Sequence, residues 1–125
     1  MQMKQWSILA VLVLLVAALA VGARAQAQTQ TISGYLVDVK CGSARGSEAG
    51  FPADHTKSCM LMDACMKSGY AVMKADKTLV KFDAAGNEKA VKLLKSTNRD
   101  KDWKVDVTGT MQNDVLAVAT IALQK

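Results

Sequence analysis

The chain has 125 residues, with 16 lysines and arginines against 11 aspartates and glutamates, a net charge of +5, half of its residues hydrophobic and 5% aromatic. That length makes one domain with a modest core. Its charges alternate in sign, as in Lys74, Asp76, Lys77, Lys81, Asp83 and again in Arg99, Asp100, Lys101, Asp102; with no basic stripe and few rings to stack on bases, a nucleic-acid partner is not expected.

The first residues carry one early positive charge, Lys4, then an unbroken apolar run from Ile8 to Val21 that exits through Gly22 and Ala23. This is the order of a secretory signal. A membrane-spanning helix takes roughly 17–25 apolar residues, more than this run offers before Arg24 ends it. Residues 1–25 therefore read as a cleavable signal peptide, with Ala23-Arg24-Ala25 and Ala25-Gln26-Ala27 as two regular cleavage sites and Gln26 or Gln28 as the new N-terminus. Losing Lys4 and Arg24 lowers the charge from +5 to +3. The expected product is exported, periplasmic or secreted, and not held in a membrane after cleavage.

Residues 26–30 are polar and patternless and read as a mobile tail. From Thr31 the alternation of Ile32, Gly34, Leu36 and Asp38 with Ser33, Tyr35, Val37 and Val39 predicts a first strand over 31–39. Gly42, Ser43, Gly46, Ser47 and Gly50, followed by Pro52, predict a loop over 41–54. Asp54 or Thr56 can cap a short helix that runs to about Lys67 and stops at Ser68-Gly69. Residues 69–83 predict a hairpin turning at Ala75-Asp76-Lys77. Gly86-Asn87 stops the chain there; Asn87 caps a helix over 88–96 whose apolar positions Ala90, Val91 and Leu94 face the core and whose lysines gather toward its C-terminal end. Trp103, Val105 and Val107 alternate with polar partners, and after Gln112-Asn113-Asp114 a second apolar run spans 115–123, which predicts a second hairpin. Five strands with a helix between the third and fourth, and a short helix in the excursion after the first, is the element order of a five-stranded OB-like β-barrel over 31–125. An open α+β sheet of the same elements is the alternative.

Cys41, Cys59, Cys65 and His55, all the cysteines and the sole histidine, fall within 25 consecutive residues. In an exported domain two cysteines normally pair. A continuous helix over 56–67 would set Cys59 and Cys65 about 9 Å apart along its axis and about 240° around it, beyond the roughly 7 Å that a bridged pair tolerates. The bond would then join Cys41 to Cys59 or to Cys65, leaving one thiol over and His55 at the surface.

The same residues also suit a soft metal. His55, Cys59, Met62 and Met66 are spaced to share one helix face, and imidazole, thiolate and thioether suit copper or zinc. Cys41, His55, Cys59 and Cys65 are the candidate ligands, with Met62 and Met66 as additional thioether donors. Methionines at helical spacing are also ordinary core filler, and H-x3-C-x5-C is not a standard zinc framework. A thiol-dependent redox protein is a further reading, with His55 as base and Asp38, Asp54 or Asp63 as its orienting acid; otherwise Asp38 is a turn or surface residue. Neither a C-x-x-C pair, a phosphate loop nor a dinucleotide fingerprint is present, so an enzyme reading needs more than the sequence provides, and whether the chain is an enzyme stays open, with the balance against it. The expected function is that of a small exported binding or structural module of unknown ligand.

Gly34-Tyr35-Leu36-Val37-Asp38-Val39-Lys40-Cys41, His55-Thr56-Lys57-Ser58-Cys59, Cys65, Ser68-Gly69-Tyr70 and Val105-Asp106-Val107-Thr108-Gly109-Thr110 together resemble a family of small exported bacterial proteins of unknown function, with the pattern G-[YW]-[LIV]-x-D-x-x-C, H-x3-C, a further Cys and V-x-V-x-G. The chain departs from it in having five residues between Cys59 and Cys65, where many members have three. The resemblance implies an exported barrel-like domain with Asp38, Cys41, His55, Cys59 and Cys65 at the motif positions, and no particular activity.

Overall fold

A computed structural model of the protein describes residues 27–125; the signal peptide expected over 1–25 lies outside them. No helix among the described residues is long and apolar enough to cross a membrane. The chain order is β1 (Thr29–Asp38), α1 (Val39–Arg45), α2 (Lys57–Met60), α3 (Asp63–Ser68), β2 (Tyr70–Met73), β3 (Leu79–Phe82), α4 (Ala84–Lys95), β4 (Lys104–Gln112) and β5 (Val115–Leu123).

The five strands form one sheet in the order β1-β2-β3-β5-β4 that closes on itself into a ring, β4 pairing back onto β1. All pairings are antiparallel except β3 with β5. A parallel pair cannot be joined by a tight turn. Here α4 carries the chain from β3 to β4, and the β4–β5 hairpin then lays β5 beside β3. Closing so small a ring needs strongly bent strands. β1 pairs with β4 over Thr29–Tyr35 and with β2 over Tyr35–Asp38, so it changes partner at Gly34-Tyr35. A Cβ at Gly34 would stand 2.2 Å from the Met73 carbonyl oxygen, which is why the bend carries glycine.

The ring encloses Leu36, Tyr70, Val72, Trp103, Val105, Val107, Leu116 and Val118, and α4 adds Ala90 and Leu94. A second buried group, Val37, Phe51, Ala71 and Met73, with Cys41 packed against it, lies on the other face of the β1–β2 pair under the excursion that holds the site.

Four local expectations are corrected. β1 begins at Thr29, so Thr29 and Gln30, expected in a mobile tail, pair with Thr110 and Gly109. The expected loop over 41–54 starts as helix α1. Asp38 caps it by accepting from the Cys41 amide at 2.9 Å, and Gly42, read as a loop signal, is buried with Val37 and Leu79 3.1 Å from where a Cβ would stand. The helix expected over 56–67 is two helices broken at Leu61-Met62, so the spacing argument about Cys59 and Cys65 does not apply. Finally, α4 starts at Ala84 and not at 88. Its cap is Asp83, whose Oδ1 accepts from the amides of Gly86 at 2.9 Å and Val118 at 3.2 Å. Asn87 instead accepts from the Tyr70 amide at 2.8 Å, and Val91 is only partly buried.

Candidate functional site

The site forms where the end of β1 meets the helices of the excursion. Asp38 closes β1 opposite Tyr70 of β2, and the next residues turn into α1 because Asp38 offers its own carboxylate as the cap. That places Cys41 in the first turn of α1, over the carboxylate. α3 brings Cys65 to the same point. Its end is tied to the start of α1 by the Val39 amide donating to the Gly69 carbonyl at 2.9 Å and the Lys40 amide donating to Ser68 Oγ at 3.1 Å. Ser68 Oγ in turn donates to the Cys65 carbonyl at 2.6 Å.

One carboxylate oxygen of Asp38, Cys41 Sγ and Cys65 Sγ lie within 4.8 Å of one another. Asp38 is 0% and Cys65 4% exposed, whereas Cys41 is half-buried. His55, 1% exposed, stands behind the carboxylate with Nε2 2.7 Å from Asp38 Oδ1. Because an ionised carboxylate only accepts, Nε2 carries the proton and donates it. The His55 ring packs on Phe51 with centroids 5.2 Å apart, and its Nδ1 is buried with no hydrogen-bond partner. Tyr70, next to the site in β2, donates its hydroxyl to the Met60 carbonyl at 2.7 Å.

Charge at the site follows from this packing. Burial opposes ionisation of Asp38, but the hydrogen bonds from His55 and the Cys41 amide outweigh it and hold the carboxyl below its ordinary range. The thiols are pushed the other way. Burial and the adjacent Asp38 charge raise Cys41 and push Cys65 up to about 12, and the same two causes push the Tyr70 phenol up to about 12. A cation arriving at the cluster would replace the two thiol protons and offset the charge that keeps them on.

Of the residues singled out from sequence, the structure brings Cys41 and Cys65 together. Cys59 is not part of their group: it lies half-buried on α2. His55 reaches Asp38 and not the surface. Met62 is 59% exposed at the break between α2 and α3, and Met66 packs against the ring core. The shared face of His55, Cys59, Met62 and Met66 is therefore not formed. Asp38, read above as a turn or surface residue or an orienting acid, is the buried centre of the site. Its signal was present as a helix-capping residue three positions before a cysteine, the D-x-x-C of the resemblance.

Fold and site together define a small β-ring domain with a buried carboxylate–dithiol cluster. Compared with protein-family models, curated proteins and solved structures, the chain matches none of them.

Proposed function

We propose that the protein is an exported binding module of OB-like barrel type, whose Asp38/Cys41/Cys65 cluster holds one soft or borderline cation, zinc(II) or copper(I). The barrel reading rests on the helix between β3 and β4 and on the parallel pairing of β3 with β5 in an otherwise antiparallel ring. The motif resemblance to a family of small exported proteins supports the same reading.

The observation that carries the binding reading is the convergence of two sulfurs and a carboxylate oxygen within 4.8 Å, with Asp38 and Cys65 buried and Cys41 half-buried. A tetrahedral zinc ion about 2.3 Å from each of two thiolates sets them roughly 3.8 Å apart, a separation within that span. With both thiol protons displaced, two thiolates and a carboxylate would carry three negative charges, which a bound cation offsets. His55 supports the ligand set from behind: donating Nε2–H to Asp38, it fixes the carboxylate as outer-shell partners fix metal ligands.

Chelator-treated, fully reduced protein titrated with zinc(II) or copper(I) and followed by native mass spectrometry should take up one ion per chain. Cys41→Ser and Cys65→Ser should each abolish uptake at micromolar metal, and Cys59→Ser should preserve it. No uptake, or uptake indifferent to Cys41 and Cys65, refutes the reading. A thiol-dependent redox protein is the second reading, favoured by the same adjacency of Cys41 and Cys65. The raised thiols make exchange slow, because it runs through the thiolate, which disfavours a fast-cycling redox catalyst while leaving a slow disulfide open.

A further inference from the structure

We propose that Cys41 and Cys65 also form a reversible disulfide, so that the cation site exists only in the reduced chain and oxidation closes it. The metal half of this inference rests on the proposed function; the disulfide half rests on the geometry of the two helices alone.

The two sulfurs lie within 4.8 Å of each other on separate short helices. Those helices are held in register by the Asp38 cap, the Val39–Gly69 hydrogen bond and the Lys40–Ser68 hydrogen bond. A disulfide sets its sulfurs about 2.05 Å apart, so the gap left to close is under about 3 Å. Cys59 sits on α2, outside the group, and does not compete. A disulfide takes up both sulfurs, and so does a bound cation. The two outcomes exclude each other, because a sulfur bonded in a disulfide has no thiolate charge to offer a metal.

Exposure sets the order of events. Cys41 is half-buried and Cys65 almost wholly buried, so Cys41 meets the oxidant, a small-molecule disulfide or the exposed disulfide of another protein. Cys41 Sγ loses its proton and attacks one sulfur of that disulfide, expelling the other as a thiolate. Cys65 Sγ then loses its proton and attacks Cys41 Sγ, expelling the second thiolate. Two electrons pass from the chain to the external disulfide, and the two released protons end on its two thiols.

The test uses reduced wild-type chain and its Cys59→Ser variant, each with and without one equivalent of zinc(II), exposed to oxidised glutathione. Disulfides are mapped by non-reducing peptide mass spectrometry after alkylation, and zinc uptake is measured by native mass spectrometry. The expected product has lost two hydrogens, carries a Cys41–Cys65 bond with Cys59 alkylated, and takes up no zinc until reduced again. Bound zinc should slow the oxidation at least tenfold. A main product bonded through Cys59, or no Cys41–Cys65 bond in the zinc-free chain, overturns the inference and leaves the proposed function standing; zinc taken up equally by the Cys41–Cys65-bonded and the reduced chain overturns both. A Cys41–Cys65 bond in a chain that takes up no zinc when reduced overturns the proposed function and supports the disulfide.

Discussion

Replacing Asp38 tests the centre of the site without touching a sulfur. Asp38→Ala strips the Cys41 amide of its capping acceptor and the His55 imidazole of its partner. With Asp38 at 0% and His55 at 1% exposure, water does not readily take either place. Loss of a helix cap costs about 0.5–2 kcal/mol, and loss of a buried hydrogen bond to a charged group about 1.5–3 kcal/mol. Asp38→Ala should therefore destabilise the chain by about 2–5 kcal/mol, a large share of the roughly 5–15 kcal/mol that holds a domain folded. Asp38→Asn keeps an acceptor for the Cys41 amide but forces the imidazole into its other tautomer, for a cost of about 1–2 kcal/mol. The assay is urea unfolding followed through the buried Trp103, with reductant and chelator present so that neither disulfide nor metal contributes. The pH dependence has a definite sign. The folded carboxyl is held below its unfolded value, so its contribution is complete above the ordinary carboxylate range and is lost as pH falls through the folded value. Wild type should thus lose its advantage over Asp38→Asn below about pH 4. An Asp38→Ala cost under about 0.5 kcal/mol, the size of a surface change, would refute the assignment of Asp38 as the buried organiser.

Leu94, 0% exposed on α4 against the ring, should cost about 2–5 kcal/mol when truncated to alanine in the same assay. Gly86→Ala separates sequence from structure. Helix propensity alone forecasts a gain of about 1 kcal/mol, but the new methyl would stand 2.5 Å from Val118 Cγ2 and 2.8 Å from Phe82 Cβ, so a net loss of stability is expected. In reduced, metal-free protein at pH 8, iodoacetamide should reach Cys65 roughly a thousandfold more slowly than in the unfolded chain, because a thiol pushed up to about 12 is almost entirely protonated there. Mass-spectrometric labelling rates check this, and equal rates for folded and unfolded chain would refute it.

Much of the fold is carried by short-range pattern. The alternation through Ile32–Val39, the turn residues between β2 and β3 and between β4 and β5, and the helical spacing of Ala90 and Leu94 each depend on a few neighbouring residues, and the elements they predict are present. The glycines misled because their reason is long-range. Gly42 and Gly86 look like breaks, yet each lets a helix approach a strand, against Val37 and Leu79 in one case and Val118 in the other. Nothing near them in sequence distinguishes close packing from a turn. The site divides the same way. Composition shows that thiols and imidazole are concentrated between Cys41 and Cys65, and that local concentration is a property of the sequence. Which of them meet is decided by the break at Leu61-Met62, which ends α2 before α3 begins, and by the pairing of β1 with β2, which sets the end of β1 beside the start of β2. Those two long-range events bring Cys65 to Cys41, leave Cys59 aside and bury Asp38, because the position of a side chain in space depends on every element packed between it and its partner.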